Sequence, residues 1–187
     1  MPPTFRMILA VLAIMLPLAA CSSEGSGLPM LGPAADTSDV NYRLGPGDKL
    51  HITVVGADDL TGDYSVGDNG AISLALIGDI KATGLTRTQV EQEIQQKLAQ
   101  GYIKNPKVSV AILTYRPFYI YGEVTKPGEY PYASGMRVMS AVATAGGYTY
   151  RANQNYVVVT RNGQERRALP NTPIEPDDVI KVPERYF

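Results

Sequence analysis

Few residues of this chain could do chemistry. There is one cysteine, Cys21, and one histidine, His51. A lone thiol can close no disulfide within the chain and builds no cysteine-based metal site. His51 alternates with Leu50, Ile52 and Val54 and so takes the polar side of a strand, where an imidazole is a solvated surface group. A serine or cysteine nucleophile would find no other histidine as its base. The phosphate loop ending in Gly-Lys-Ser/Thr, the Gly-x-Ser-x-Gly elbow and the Gly-x-Gly-x-x-Gly turn are all missing. Asp58, Asp59, Asp63 and Asp68 lack the alternate spacing and closing glutamate of a calcium loop and read as turn residues. The expectation is a chain with no cofactor, no metal and no catalytic site: not an enzyme.

Cys21 has a different chemistry open to it. Arg6 and the amino terminus precede an apolar run, Met7 to Leu18, broken by Pro17. At about 12 residues the run is too short to span a bilayer, which needs roughly 20. It suits the apolar core of a signal peptide, residues 1–20. The run ends Leu18-Ala19-Ala20-Cys21, the lipobox pattern, in which small residues admit a peptidase and the thiol then carries diacylglycerol. An ordinary secretory signal with an incidental cysteine is the weaker reading, because the chain's one cysteine stands at the one position acylation needs. Two or three acyl chains anchor stably where one does not.

The four tyrosines Tyr130, Tyr132, Tyr148 and Tyr150 are the other candidates. Exposed, they would stack on sugar rings or fill a subunit interface. Buried, they would be core and edge-strand packing. Both readings stay open in the sequence.

Composition bounds what these residues could serve. The chain has 187 residues, 44% of them apolar, which suits one folded domain or two small ones. With 17 Lys and Arg against 18 Asp and Glu, and no concentrated basic stretch, a nucleic-acid partner is not expected. Eighteen glycines and fourteen prolines announce many turns.

Residues 22–39 have no period and are rich in Gly, Ser, Pro and Ala, which reads as a flexible tether within a 21–41 anchor segment. Over about 18 residues its root-mean-square span would be roughly 20–25 Å. A first unit is expected over 42–115. Leu50, Ile52 and Val54 form a half-buried strand. A tight turn at Asp68-Asn69-Gly70 is followed by Ile72, Leu74 and Leu76 in alternation, with Ile77 and Ile80 continuing the apolar face past an irregularity at Gly78. Thr86 and Gln89 make a capping box for a helix burying Val90, Ile94 and Leu98, with Glu93 and Lys97 paired outside and Gly101 ending it. Val108, Val110 and Ile112 form the closing strand.

A second unit is expected over 116–187. Pro127-Gly128 predicts a type II turn between strands at Tyr119–Val124 and Tyr130–Tyr132. Met136, Met139, Val142 and Ala143 predict a short helix closed by Gly146-Gly147. Asn162-Gly163 predicts a type I′ hairpin. Pro176-Asp177-Asp178 before Val179-Ile180 echoes Pro46-Gly47-Asp48 before Lys49-Leu50, a turn-into-strand device used twice. Both units are α+β.

Two runs carry a resemblance. Tyr-Gly-Glu-Val-x-Lys-Pro-Gly-x-Tyr at 121–130, with Ala-Gly-Gly closing at 147, resembles the SLBB domain, a β-grasp module. Tyr42-Arg-Leu-Gly-Pro-Gly-Asp, Ile-Gly-Asp-Ile-Lys-Ala-x-Gly-Leu-Thr and Asn-Pro-Lys-Val-Ser-Val resemble the export domain of outer-membrane polysaccharide export lipoproteins, with Ala75 where proline is frequent. The resemblance implies a short-form family member on the periplasmic side of the outer membrane, held by lipid on Cys21; Ser22 is not the aspartate of inner-membrane retention. It also implies a homo-oligomeric ring working with an inner-membrane polysaccharide co-polymerase and a separate outer-membrane channel, a β-barrel. The polymer, capsule or exopolysaccharide, would pass through without chemistry. The alternative is a lipid-anchored module that holds saccharide or peptidoglycan and conducts nothing.

Overall fold

The structure, a computed structural model, describes residues 27–32 and 42–185. The signal peptide, Cys21 and most of the tether lie outside the described residues.

In the first unit β1 (Lys49–Val54) lies between β2 (Gly62–Ser65) and β5 (Val108–Thr114), antiparallel to both. β3 (Ala71–Leu74) and β4 (Gly78–Lys81) form a separate hairpin. Helix α1 (Arg87–Ala99) starts on the capping box: the Gln89 amide donates to Thr86 Oγ1, and the Thr86 amide donates to Gln89 Oε1. Its Val90, Ile94 and Leu98 are fully buried with Leu50, Ile52, Ile72, Ile80 and Val110. Side chains of this kind contribute about 1.5–3 kcal/mol each when removed from water.

The second unit has a five-stranded sheet in the order β7-β6-β10-β8-β9. It is built from β6 (Phe118–Gly122), β7 (Gly128–Tyr130), α2 (Val138–Thr144), β8 (Val157–Arg161), β9 (Gln164–Ala168) and β10 (Val179–Val182). Strands β6 and β10 pair in parallel; β7, the hairpin partner of β6, lies outside β6, and the β8–β9 hairpin lies outside β10. This is the β-grasp arrangement. Phe118, Ile120, Val157, Val159 and Ile180 form one buried face with α2. At the β8–β9 turn Asn162 and Gly163 have φ of 51° and 74°, as a type I′ turn requires.

Several sequence expectations are corrected. Strand β3 stops at Leu74, and Leu76 is exposed with φ 67°, not continuing the alternation. The Ile77 amide donates to the Ala75 carbonyl at 2.8 Å, so Leu76 is the apex of a γ-turn. Gly128 is not at positive φ; it opens β7 opposite Ile120. The loop before it is held instead by the end of α2, where the Thr125 and Lys126 amides donate to the Gly147 and Ala145 carbonyls. The left-handed residue of this hairpin is Gly122 (φ 88°), where a Cβ would lie 2.3 Å from the Val182 oxygen. Helix α2 buries Val138, Ala141, Val142 and Ala145 and exposes Met139 and Ala143. Lys97 donates to the Asp79 carbonyl at 2.8 Å in place of the Glu93 pairing. Finally, residues 29–31, expected to be tether, lie against β9, with Met30 bridged in parallel to Arg167.

Candidate functional site

The two echoing turns share one set of hydrogen bonds. In each, proline is followed by a residue at positive φ, Gly47 (94°) or Asp177 (74°), and then by a buried aspartate. The Asp48 amide donates to the Gly45 carbonyl and the Asp178 amide to the Glu175 carbonyl, both at 3.2 Å. In return the Gly45 amide donates to Asp48 Oδ2 at 2.8 Å, and the Glu175 amide to Asp178 Oδ2 at 2.7 Å. These are type II turns locked by their own carboxylates.

A guanidinium answers each carboxylate. Arg161 donates through Nε and Nη2 to the two oxygens of Asp178 at 2.8 and 2.7 Å, and through Nη1 to Glu175 at 2.6 Å. The Asp178 pair is the bidentate geometry that a buried ion pair requires. Asp48 accepts from the Tyr42 hydroxyl and from the Arg116 amide at 3.0 Å. The Arg116 guanidinium is held more loosely: Nη2 donates to the Tyr42 hydroxyl at 3.3 Å, Nε lies 3.5 Å from Asp48, Nη1 lies 3.6 Å from Asp177, and buried Nε has no hydrogen-bond partner. Arg116 thus joins the first unit's turn to the second unit's turn.

Burial pushes the Tyr42 phenol far above its ordinary value, helped by the Asp48 charge although the Arg116 hydrogen bond opposes it. Burial likewise holds the Glu175 carboxyl above the usual carboxylate range, against the lowering effect of Arg161. Between the turns lies a cleft of about 710 Å³, with Arg43, Gly45, Thr83, Arg116, Asn162 and Asp177 in its wall. The buried Thr83 hydroxyl there also lacks a partner.

An aromatic ladder backs this junction. Tyr115 meets Tyr42 edge-on at 5.0 Å and Tyr132 edge-on at 5.5 Å, and packs against both cores. Tyr132 is therefore buried at the joint and presents no free ring face. Tyr130 lies along Phe118 at 5.9 Å and donates to the Lys126 carbonyl. Tyr148 is half-buried, its hydroxyl without a partner and its phenol pushed up by burial. Of the four, Tyr150 alone is largely free, 82% exposed. Sequence reasoning passed over Tyr119 and Tyr121, which point outward from β6 beside Val179 and Lys181. Their alternation with buried Phe118 and Ile120 was the available signal. His51 meets Asp63 across β1 and β2 at 2.6 Å, on the exposed face. Among the described residues no group of three potential ligands is placed to hold a metal, and no helix is long and apolar enough to cross a membrane.

Comparison with known proteins places both units. Residues 36–113 match the family described as polysaccharide biosynthesis/export protein, and residues 117–170 match the SLBB domain. The exopolysaccharide production protein ExoF of Rhizobium meliloti is 40% identical over 142 residues, covering 70% of this chain and 32% of that protein. The EPS I polysaccharide export outer membrane protein EpsA of Ralstonia solanacearum is 31% identical over 170 residues, 74% of this chain and 45% of that one. The polysialic acid transport protein KpsD of Escherichia coli is 26% identical over 133 residues, 70% of this chain and 24% of that one. The chain therefore spans between a quarter and a half of the length of these relatives.

Proposed function

The chain belongs to the outer-membrane polysaccharide export family, in a form joining one export domain to one SLBB domain, and from that premise we propose that it serves as a periplasmic, lipid-anchored component of a capsule or exopolysaccharide export machine. The observation that carries this reading is the pairing of those two domains in one chain. Its role is conduit and docking. Copies assemble head to tail into a closed ring, as heterologous contacts do when the rotation closes. The polymer arrives from an inner-membrane co-polymerase and leaves through a separate outer-membrane channel, a β-barrel. Acylation of Cys21 holds the ring to the outer membrane, and Tyr119, Tyr121 and Tyr150 are its exposed candidates for subunit or saccharide contact.

Deletion, with polymer measured outside the cell and within the envelope, tests the reading. Secreted polymer falls and returns with the wild-type chain but not with Cys21→Ser. Unchanged secretion in the deletion strain, with no related chain present, counts against it. The second reading, a saccharide-holding module, draws support from the cleft and the loosely paired Arg116 in its wall. Native mass measurement separates the two: a chain that stays monomeric with its co-polymerase present is no conduit.

A further inference from the structure

Arg116 has donors to spare. Among the described residues its side chain makes one hydrogen bond, from Nη2 to the Tyr42 hydroxyl at 3.3 Å. Nη1 stands 3.6 Å from Asp177, too far for a hydrogen bond. Nε is closed off and has no partner, so the terminal nitrogens are the donors a ligand can use. The group sits where it does because Gly45 has no side chain: a Cβ there would stand 2.7 Å from the guanidinium carbon. Arg161, in the same wall, is different, because Asp178 and Glu175 take up all three of its nitrogens. Arg43 adds an exposed guanidinium, with Nη1 on the Gly84 carbonyl at 2.6 Å. Largely buried donors ordinarily find an acceptor, and those left open at a cleft call for an explanation. At about 710 Å³ this cleft has the size of a small-ligand site, roughly 300–1,000 Å³.

We propose that the cleft between the two aspartate turns holds an acidic sugar residue, its carboxylate gripped by the terminal nitrogens of Arg116 with Arg43 alongside, and its hydroxyls bonded to Asn162 and Asp177. The proposal rests on the saccharide partner of the preceding section and names its chemical class; it applies to a conduit and to a holding module alike. A guanidinium matches a carboxylate in plane and in spacing, and charge-assisted bonds of this kind are the strong ones. The signs in the wall favour carboxylate over phosphate. Glu175 and Asp177 border the same space, so a doubly charged group would meet like charges at close range. A singly charged sugar instead offers one edge to the guanidinium, and its hydroxyls find acceptors in Asn162 and in Asp177, 68% exposed. Arg43 belongs to the first unit and Asn162 and Asp177 to the second, so a sugar held here also bridges the units.

The test titrates the full mature chain, in detergent, with a tetramer of glucuronic acid, the neutral glucose tetramer and inorganic phosphate, reading affinity by calorimetry. The acidic tetramer is expected to bind at least about tenfold more tightly than the neutral one. Arg116→Lys keeps the charge and loses the fork, and should weaken acidic binding about tenfold. Gly45→Ala, which pushes the guanidinium off its seat, should weaken it too. Arg151→Lys, whose group pairs with Glu184, is the control and should bind as the wild type does. Circular dichroism checks folding; if Arg116→Lys does not fold, Arg43→Gln, at an exposed position, carries the test with an expected loss of several-fold. Equal affinity for the two tetramers, or no binding of either, overturns the proposal and leaves the export role to be judged by secretion. Acidic binding untouched by all three cleft variants puts the site elsewhere and overturns it. So does phosphate that displaces the tetramer at equal concentration, which marks a simple anion site. A drop in native mass in Arg116→Lys, with no saccharide bound by the wild type, gives the cleft to a second copy and also overturns it. Unchanged secretion in the deletion strain, with selective acidic binding intact, defeats the conduit and keeps the cleft.

Discussion

Asp48 is fully buried and ionisable, a costly residue to keep. It is tolerated because the Gly45 and Arg116 amides and the Tyr42 hydroxyl all donate to it, with the Arg116 charge alongside. Removing it leaves those donors and that charge stranded. Asp48→Ala should therefore lower stability by about 3–5 kcal/mol, read as a fall in the urea midpoint. Asp177 touches the same guanidinium from a position 68% exposed, where a surface pair contributes little. Asp177→Asn, which removes the charge and keeps a residue suited to φ 74°, should change stability by no more than about 0.5 kcal/mol. If both substitutions cost the same, burial is not what sets the strength of this cluster. Glu175 adds a pH dependence. Its carboxyl is raised in the folded chain by burial, so the folded state holds a proton that the unfolded state has already lost. Stability should then fall as pH rises through the window between an ordinary glutamate pKa and the raised one. Glu175→Gln should flatten that slope, and urea titrations across mildly acidic pH would show whether it does.

At the scale of elements, Leu76 is the place where backbone and side chain disagree. An apolar residue at φ 67° and 63% exposed carries strain without burying surface. The left-handed region costs an ordinary residue about 1–2 kcal/mol, and glycine's extra unfolded freedom returns about 0.5–1 of that. Leu76→Gly should therefore gain about 0.5–1 kcal/mol, measured by thermal and urea unfolding together. Thr86→Ala, which breaks the capping box of α1, should lose about 1 kcal/mol in the same assays. These two elements also show what was legible in the sequence. The capping box, the Asn162-Gly163 turn and the twin proline-aspartate turns rest on bonds within a few residues, so local residue types announce them. The Leu76 turn was hidden because Leu74, Leu76 and Ile80 keep an alternating apolar pattern straight through it. Pro127-Gly128 misled because the loop's hydrogen bonds go to carbonyls about 20 residues away, at the end of α2. The pairing of residues 29–31 with β9 was invisible because Gly- and Pro-rich composition reports flexibility and cannot report a docking partner. Tyr132 could not be assigned to the joint until Tyr115 was placed between the units.

Across the whole molecule, the question is whether the two units move as one body. The proposed conduit role would require the two units to stay aligned under load. The two cores share Tyr115, whose ring meets Tyr42 of one and Tyr132 of the other. Its neighbour Arg116 joins the two aspartate turns. Each edge-to-face ring pair contributes about 0.5–1.5 kcal/mol beyond its buried area, enough to tie the stability of one small unit to that of the other. The wild-type chain is accordingly expected to unfold in urea in a single transition, with one m-value for the whole surface exposed. The double substitution Tyr115→Ala with Arg116→Ala should split this into two transitions, each with a smaller m-value, while far-ultraviolet circular dichroism before unfolding stays unchanged. The split is the informative quantity, because a merely weaker fold would lower the midpoint and leave one transition. A single transition with the original m-value would place the coupling elsewhere, in the walls of the cleft. With two transitions, the same variant also becomes a tool. If export needs the units rigidly joined, secretion should fall in cells carrying it even though each unit still folds.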